Sequence, residues 1–123
     1  MLAFTLGLVA VVGLEHLFIM CLEMFWSTGR IAQQTFGSDS SFLEQPQVKA
    51  IFKNMGIYNG FVGVGILWSL FALPTMEMRA VLILFTGFVV VAAIVGAVTV
   101  SRRILVVQGL PALFAVLCVL LFL

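Results

Sequence analysis

Four apolar runs, each long enough to cross a bilayer, constrain this chain more than any motif does. A spanning helix needs about 20 mostly apolar residues, and runs at about 2–25, 50–73, 79–100 and 104–123 each meet that length. Together they occupy nearly all of the 123 residues. With 63% hydrophobic and 9% charged residues, against roughly 45–50% and 25% in soluble domains, a water-soluble core is excluded. The expected fold is all-α: an integral membrane four-helix bundle forming a single four-span transmembrane domain over residues 1–123. The first run has no basic n-region and no small-residue cleavage site, and it contains Glu15 and His16. It reads as a retained helix rather than a secretory signal.

The connections are unequal. Only Ser101-Arg102-Arg103 joins the third and fourth runs, and a turn around Pro74 to Met78 joins the second and third. Such short links make neighbouring helices antiparallel. The first connection, Ser27 to Gln47, is polar and rich in Ser, Gln and Gly. It reads as a surface loop with room for a short helix, and Pro46 marks the start of the next helix, because proline is tolerated in a first turn.

Basic residues set the expected orientation. Arg30, Lys49 and Lys53 flank the first loop and Arg102 and Arg103 make the third, whereas the second has only Arg79. Cytoplasmic loops are enriched in Lys and Arg, so both termini are expected on the non-cytoplasmic side of a cell membrane, the inner membrane of a bacterium. In this arrangement Cys21 and Cys118 differ in depth by roughly 15 Å, too far for a disulfide. No basic cluster or aromatic ladder points to nucleic acid. Membrane lipids, a small lipophilic ligand and further copies of the chain are the expected partners.

Three ionisable residues lie inside the apolar runs: Glu15, His16 and Glu23, all on the first helix. Such residues are costly in lipid and mark function by default. At 100° per residue His16 and Glu23 share nearly one face, with Glu15 to the side. The second helix brings Asn54, Tyr58 and Asn59 to the same depth, and the fourth brings Gln108. Asn54 and Tyr58 share one face of the second helix, while Gly56, Gly60 and Gly63 lie on the opposite face, where small residues admit a close neighbour. Pro111 removes a helical hydrogen bond to Val107, which frees a carbonyl beside Gln108. The third helix, with only Thr86 and Thr99 as polar groups, reads as scaffold or subunit interface.

The strings EHLFIMCLEMFW (Glu15 to Trp26), NMGIYNG (Asn54 to Gly60) and QGLPA (Gln108 to Ala112) resemble a family of short four-span bacterial membrane proteins known as domain of unknown function 1304. The resemblance covers essentially the whole chain and implies a membrane location and four spans. It implies no chemistry.

From the residues, the expected site is an intramembrane pocket that binds or transforms a small lipophilic molecule. Glu15, His16, Glu23 and Tyr58 form the catalytic set, since a carboxyl in such a pocket is a candidate general acid, His16 a base and Tyr58 a polariser of a substrate oxygen. Asn54, Asn59, Gln108 and Trp26 form the substrate-binding set, although an aromatic at a helix end also fits an interfacial anchor. His16 is further a candidate axial haem ligand, or a metal ligand with Glu15 or Glu23, but one helix supplies few donors. Two alternatives stand beside this reading. A carboxylate in the first helix of a four-span chain is similar to the small multidrug transporters, making Glu15 the proton site of an exporter. Alternatively, the polar residues simply join helices through hydrogen bonds.

Overall fold

The computed structural model describes residues 1–123. Its chain forms α1 (Leu2–Phe25), α2 (Arg30–Phe36), α3 (Ser40–Leu43), α4 (Pro46–Ala72), α5 (Thr75–Thr99) and α6 (Arg102–Phe122). The four long helices α1, α4, α5 and α6 are each long and apolar enough to cross a membrane. They run alternately up and down and close a ring in which α1 touches α4 and α6, and α5 touches the same two. Pro46 opens α4 at its first turn, where its missing N–H has no helical partner to lose.

Lipid offers no hydrogen bonds, so hydroxyls in the spans must bond within them. Thr5, Ser69, Thr86 and Thr99 each donate to a carbonyl three or four residues back in their own helix or at its start. Large apolar side chains such as Phe4, Leu14, Phe61, Leu84 and Val91 face outward. That surface suits a bilayer and would aggregate in water. These features make the chain a multi-pass membrane protein.

The interior divides into two apolar cores. One, built on Val9, Val12, Val62, Ile66, Leu82, Val89 and Val119, fills the bundle toward the end where Pro74 turns α4 into α5. The other lies at the opposite end, where Leu22, Val48 and Phe52 of α1 and α4 meet Ala32, Phe36 and Leu43. The last three come from the connection between the first two spans. Where a surface loop with room for a short helix was expected, two short helices form and fold back as a strap over the bundle end. Gly37 makes this possible by ending α2 in the left-handed region at φ 65°. Asp39 then caps α3, accepting from the Phe42 N–H at 2.9 Å. Phe36 and Phe52 meet edge to face with ring centroids 4.8 Å apart, and Arg103 Nη1 donates to the Gln34 carbonyl at 2.9 Å, tying the strap to α4 and α6.

Residues Leu105–Gly109 of α6 form a π-helical turn, in which Leu110 N–H donates to the Leu105 carbonyl. Pro111 follows immediately and has no N–H to give. The widened turn absorbs the missing bond, and such turns frequently mark functional sites.

Candidate functional site

The site depends on how closely α1 and α4 approach. Gly56, Gly60 and Gly63 form the contact face of α4, as the spacing of small residues predicts. A Cβ at Gly60 would stand 2.6 Å from Met20 Sδ, and one at Gly63 would stand 2.7 Å from the Gly13 carbonyl. Because the helices pack backbone to backbone here, the short side chain of Asn59 reaches across α1. Asn59 Nδ2 donates to Glu23 Oε2 at 2.7 Å, at the short end of the ordinary N–H···O range. Glu23 itself is 2% exposed.

Glu23 and Asn59 border a cavity of about 520 Å³ at the strap end of the bundle. Every long helix contributes to its wall: Glu23 from α1, Phe52, Met55 and Asn59 from α4, Ala92, Gly96 and Thr99 from α5, Ile104 and Gln108 from α6. The strap adds Phe36, Gly37, Ser38 and Phe42. Gln108 sits in the π-helical turn, which brings its side chain to the wall. Asn59 is the one hydrogen-bond partner of Glu23, and Glu23 Oε1 accepts no bond from the chain. The space is open to the outside of the bundle, since Met55 of α4 and Ala92 of α5 border it and are exposed, as are Gly37, Phe42, Thr99 and Val100 at the strap end.

The remaining sequence candidates lie elsewhere. His16 is buried at 2% exposure, but its Nδ1 donates to the Val12 carbonyl at 2.9 Å and it does not border the cavity. Glu15 is half-buried and also outside the cavity, with an Oε1 that is shielded from solvent and has no hydrogen-bond partner. Tyr58, at 65% exposure, lies on an outward apolar groove with Phe61, Leu84, Phe85 and Phe88. One step along a helix is 100°, so Asn59 faces α1 while Tyr58 faces out. Asn54 and Trp26 are exposed and away from the cavity. Thus Glu23, Asn59 and Gln108 come together, and Glu15, His16, Tyr58, Asn54 and Trp26 do not join them. No three His, Cys, Asp or Glu side chains converge on a metal-sized space, and Cys21 and Cys118 are free thiols.

Sequence reasoning missed the strap and the α5 wall. Gly37 followed by Asp39 is a helix stop and a helix start two residues apart, and that signal reveals α2 and α3. Ala92 and Gly96, taken as scaffold, leave room on α5 because they are small.

A family model described as "Protein of unknown function (DUF1304)" matches residues 10–120. The chain belongs to this family. The DUF1304 match contains every residue that borders the cavity. The uncharacterized protein YpaA of Lactococcus lactis subsp. lactis (strain IL1403) is 31% identical over 113 residues, covering 92% of this chain and 93% of YpaA. No solved structure matches the chain. Membership in DUF1304 therefore assigns no activity to the chain.

Proposed function

We propose that this protein binds a small lipophilic molecule in the cavity at Glu23, admitted sideways from the bilayer between α4 and α5. One observation carries the reading: a carboxyl group buried in a membrane helix borders an apolar-walled space of about 520 Å³ with one of its oxygens unoccupied. Sites for small molecules are typically about 300–1,000 Å³, mostly apolar, with a few convergent polar groups. An interhelical hydrogen bond alone would explain the Glu23–Asn59 pair but not the space beside it. The sideways entrance rests on Met55 and Ala92, which are exposed on spanning helices and border the cavity. Should the bound molecule be transformed, Glu23 is the group available for acid–base work, with Asn59 and Gln108 orienting the ligand.

The orientation belongs to the same proposal. Five of the six Lys and Arg residues, Arg30, Lys49, Lys53, Arg102 and Arg103, lie at the strap end. By the positive-inside rule the cavity opens in the cytoplasmic leaflet of a bacterial inner membrane and both termini lie outside. A periplasm-active reporter fused at Leu123 is expected to be active; activity of a cytoplasm-only reporter at that position overturns the orientation.

An exporter built on Glu15 has one observation in its favour, the buried Oε1 without a partner. The same oxygen supports a homo-oligomer in which a second copy donates to it. Against alternating access, the bundle beyond the cavity is filled by Val9, Val12, Val62 and Ile66, so the geometry favours a one-sided pocket.

The test is photolabelling in native membranes with an alkyl diazirine. Labelling concentrated on Met55, Asn59 and Phe52 and abolished by Ala92→Trp, which fills the entrance, is the expected result. Labelling spread evenly over outward residues such as Phe61 and Leu84, unchanged by Ala92→Trp, overturns the reading.

A further inference from the structure

We infer that the molecule bound at Glu23 carries a primary amino group, which docks between Glu23 Oε1 and Asn59 Oδ1. This rests on the cavity being a ligand site, and it follows from which donors and acceptors of the wall are already occupied. Asn59 Nδ2 directs its hydrogens to Glu23 Oε2 at 2.7 Å and to the Met55 carbonyl at 3.4 Å. Thr99 Oγ1 donates to the Val95 carbonyl at 2.8 Å, and Ser38 Oγ to the Phe36 carbonyl at 3.5 Å. These donors are engaged within the chain. What remains open on the wall is mostly acceptors: Glu23 Oε1, Asn59 Oδ1 and the lone pairs of Ser38 and Thr99. Gln108 alone keeps a free amide N–H pair, since it takes part in no side-chain hydrogen bond with the chain.

A wall of open acceptors around a carboxylate selects its ligand by charge and by hydrogen count. A carboxylate ligand brings only acceptors and repeats the charge of Glu23. An alcohol brings one hydrogen for several open acceptors, and although Gln108 can donate to its oxygen, it brings no charge to oppose that of Glu23. A primary ammonium brings three donors and no acceptor, and its charge opposes that of Glu23. The last point carries most weight, because an ammonium supplies the counter-charge that a buried carboxyl bonded only to the neutral Asn59 needs in order to ionise. The apolar remainder of the ligand then lies along Phe52, Ala92, Ile104 and Phe42. The basic residues Lys49, Lys53, Arg102 and Arg103 are exposed at the strap end and oppose a cation arriving from water. By the sideways entrance proposed above, a lipophilic amine reaches Glu23 from the bilayer, past Met55 and Ala92, instead.

Native mass spectrometry of the full chain released from detergent, mixed with equal amounts of decylamine, decanol and decanoate, tests the assignment. Expected is one decylamine per chain, favoured over decanol and decanoate by roughly tenfold or more, and lost in both Glu23→Gln and Ala92→Trp. Glu23→Gln keeps the side-chain volume, and Ala92→Trp adds bulk at an exposed position, so the two variants stress folding in different ways. Decanol or decanoate binding as well as the amine, or amine binding that survives Glu23→Gln, while Ala92→Trp still blocks it, overturns the amine and leaves the cavity as a ligand site. No adduct at all, or adducts that Ala92→Trp does not reduce, overturns the cavity reading and the amine with it.

Discussion

Replacing Gly63 by alanine tests the contact on which the site depends. The added Cβ would stand 2.7 Å from the Gly13 carbonyl oxygen and 2.9 Å from two carbons of Leu17, well short of the 3.4 Å at which ordinary contact begins. Leu17 has other rotamers, but the Gly13 carbonyl belongs to the α1 backbone and moves only with the helix. Relief therefore requires α1 and α4 to separate by on the order of half an ångström, and a gap of that size forfeits about a quarter of each dispersion contact it opens. Overpacking of this kind costs about 1–3 kcal/mol, roughly a 5- to 150-fold rise in the unfolding constant. The matched controls are Gly7→Ala and Gly87→Ala, whose new Cβ atoms would meet nothing within 4 Å, and both should match wild type or gain up to about 1 kcal/mol from the better helix propensity of alanine. Gly60→Ala should fall between, because its 2.6 Å contact is to the sulfur of Met20, an unbranched side chain that can swing aside. SDS titration in mixed micelles, followed by labelling of the half-buried Cys21 and Cys118 thiols, reads all four. If Gly63→Ala matches Gly87→Ala, α1 and α4 do not pack backbone to backbone, and the reach of Asn59 to Glu23 loses its explanation.

Three further outcomes follow from single contacts. A double-mutant cycle of Glu23→Leu and Asn59→Leu, each of which removes the bond, should give a coupling of about 0.6 kcal/mol and at most about 1.7 kcal/mol, as for hydrogen bonds between membrane helices, and additive single effects would mean the pair is not formed. Arg103→Ala removes the bond to the Gln34 carbonyl, so limited proteolysis within residues 26–45 should speed up while the long helices keep their protection; unchanged cleavage argues against Arg103 holding the strap. Asp39 is fully exposed, and the Phe42 N–H, with help from the Ser41 hydroxyl, holds its carboxyl below the usual value of 3.8. A depressed folded value means that its capping is present at neutral pH and is lost only as pH falls through that lowered value. Hydrogen exchange at Phe42 and Leu43 should therefore be slower than in Asp39→Ala at about pH 6, with the difference persisting below the usual carboxyl value before it closes on further acidification, and equal exchange at that pH would refute the cap.

The long helices were legible because lipid imposes a length and a composition that few other settings require. The glycine face of α4 was legible for a related reason: Gly56, Gly60 and Gly63 fall on one side at helical spacing, and close approach needs a missing Cβ. Polar depth was legible, but polar direction was not. Tyr58 and Asn59 are sequence neighbours at the same depth, yet one faces lipid and the other faces Glu23, because adjacent helical positions diverge by about 100° and only the packing of α1 decides which turns inward. His16 shows the same limit, since its Nδ1 is bonded to the carbonyl one turn back at Val12 and not to another helix. The strap was hidden by composition. Ser27 to Gln47 is polar on average, and the average conceals that Ala32, Phe36 and Leu43 fall where two short helices, set by Gly37 and Asp39, turn them onto the bundle end. That concealment bears on function, because the strap residues Phe36 and Phe42 form part of the apolar wall of the cavity at Glu23. A chain with the same four spans and the same Glu23–Asn59 pair, but without those two aromatic residues, would present its carboxylate to water, where ion pairs and hydrogen bonds discriminate weakly. The selectivity proposed for the site thus depends as much on the connection between the first two spans as on the helices that carry its polar groups.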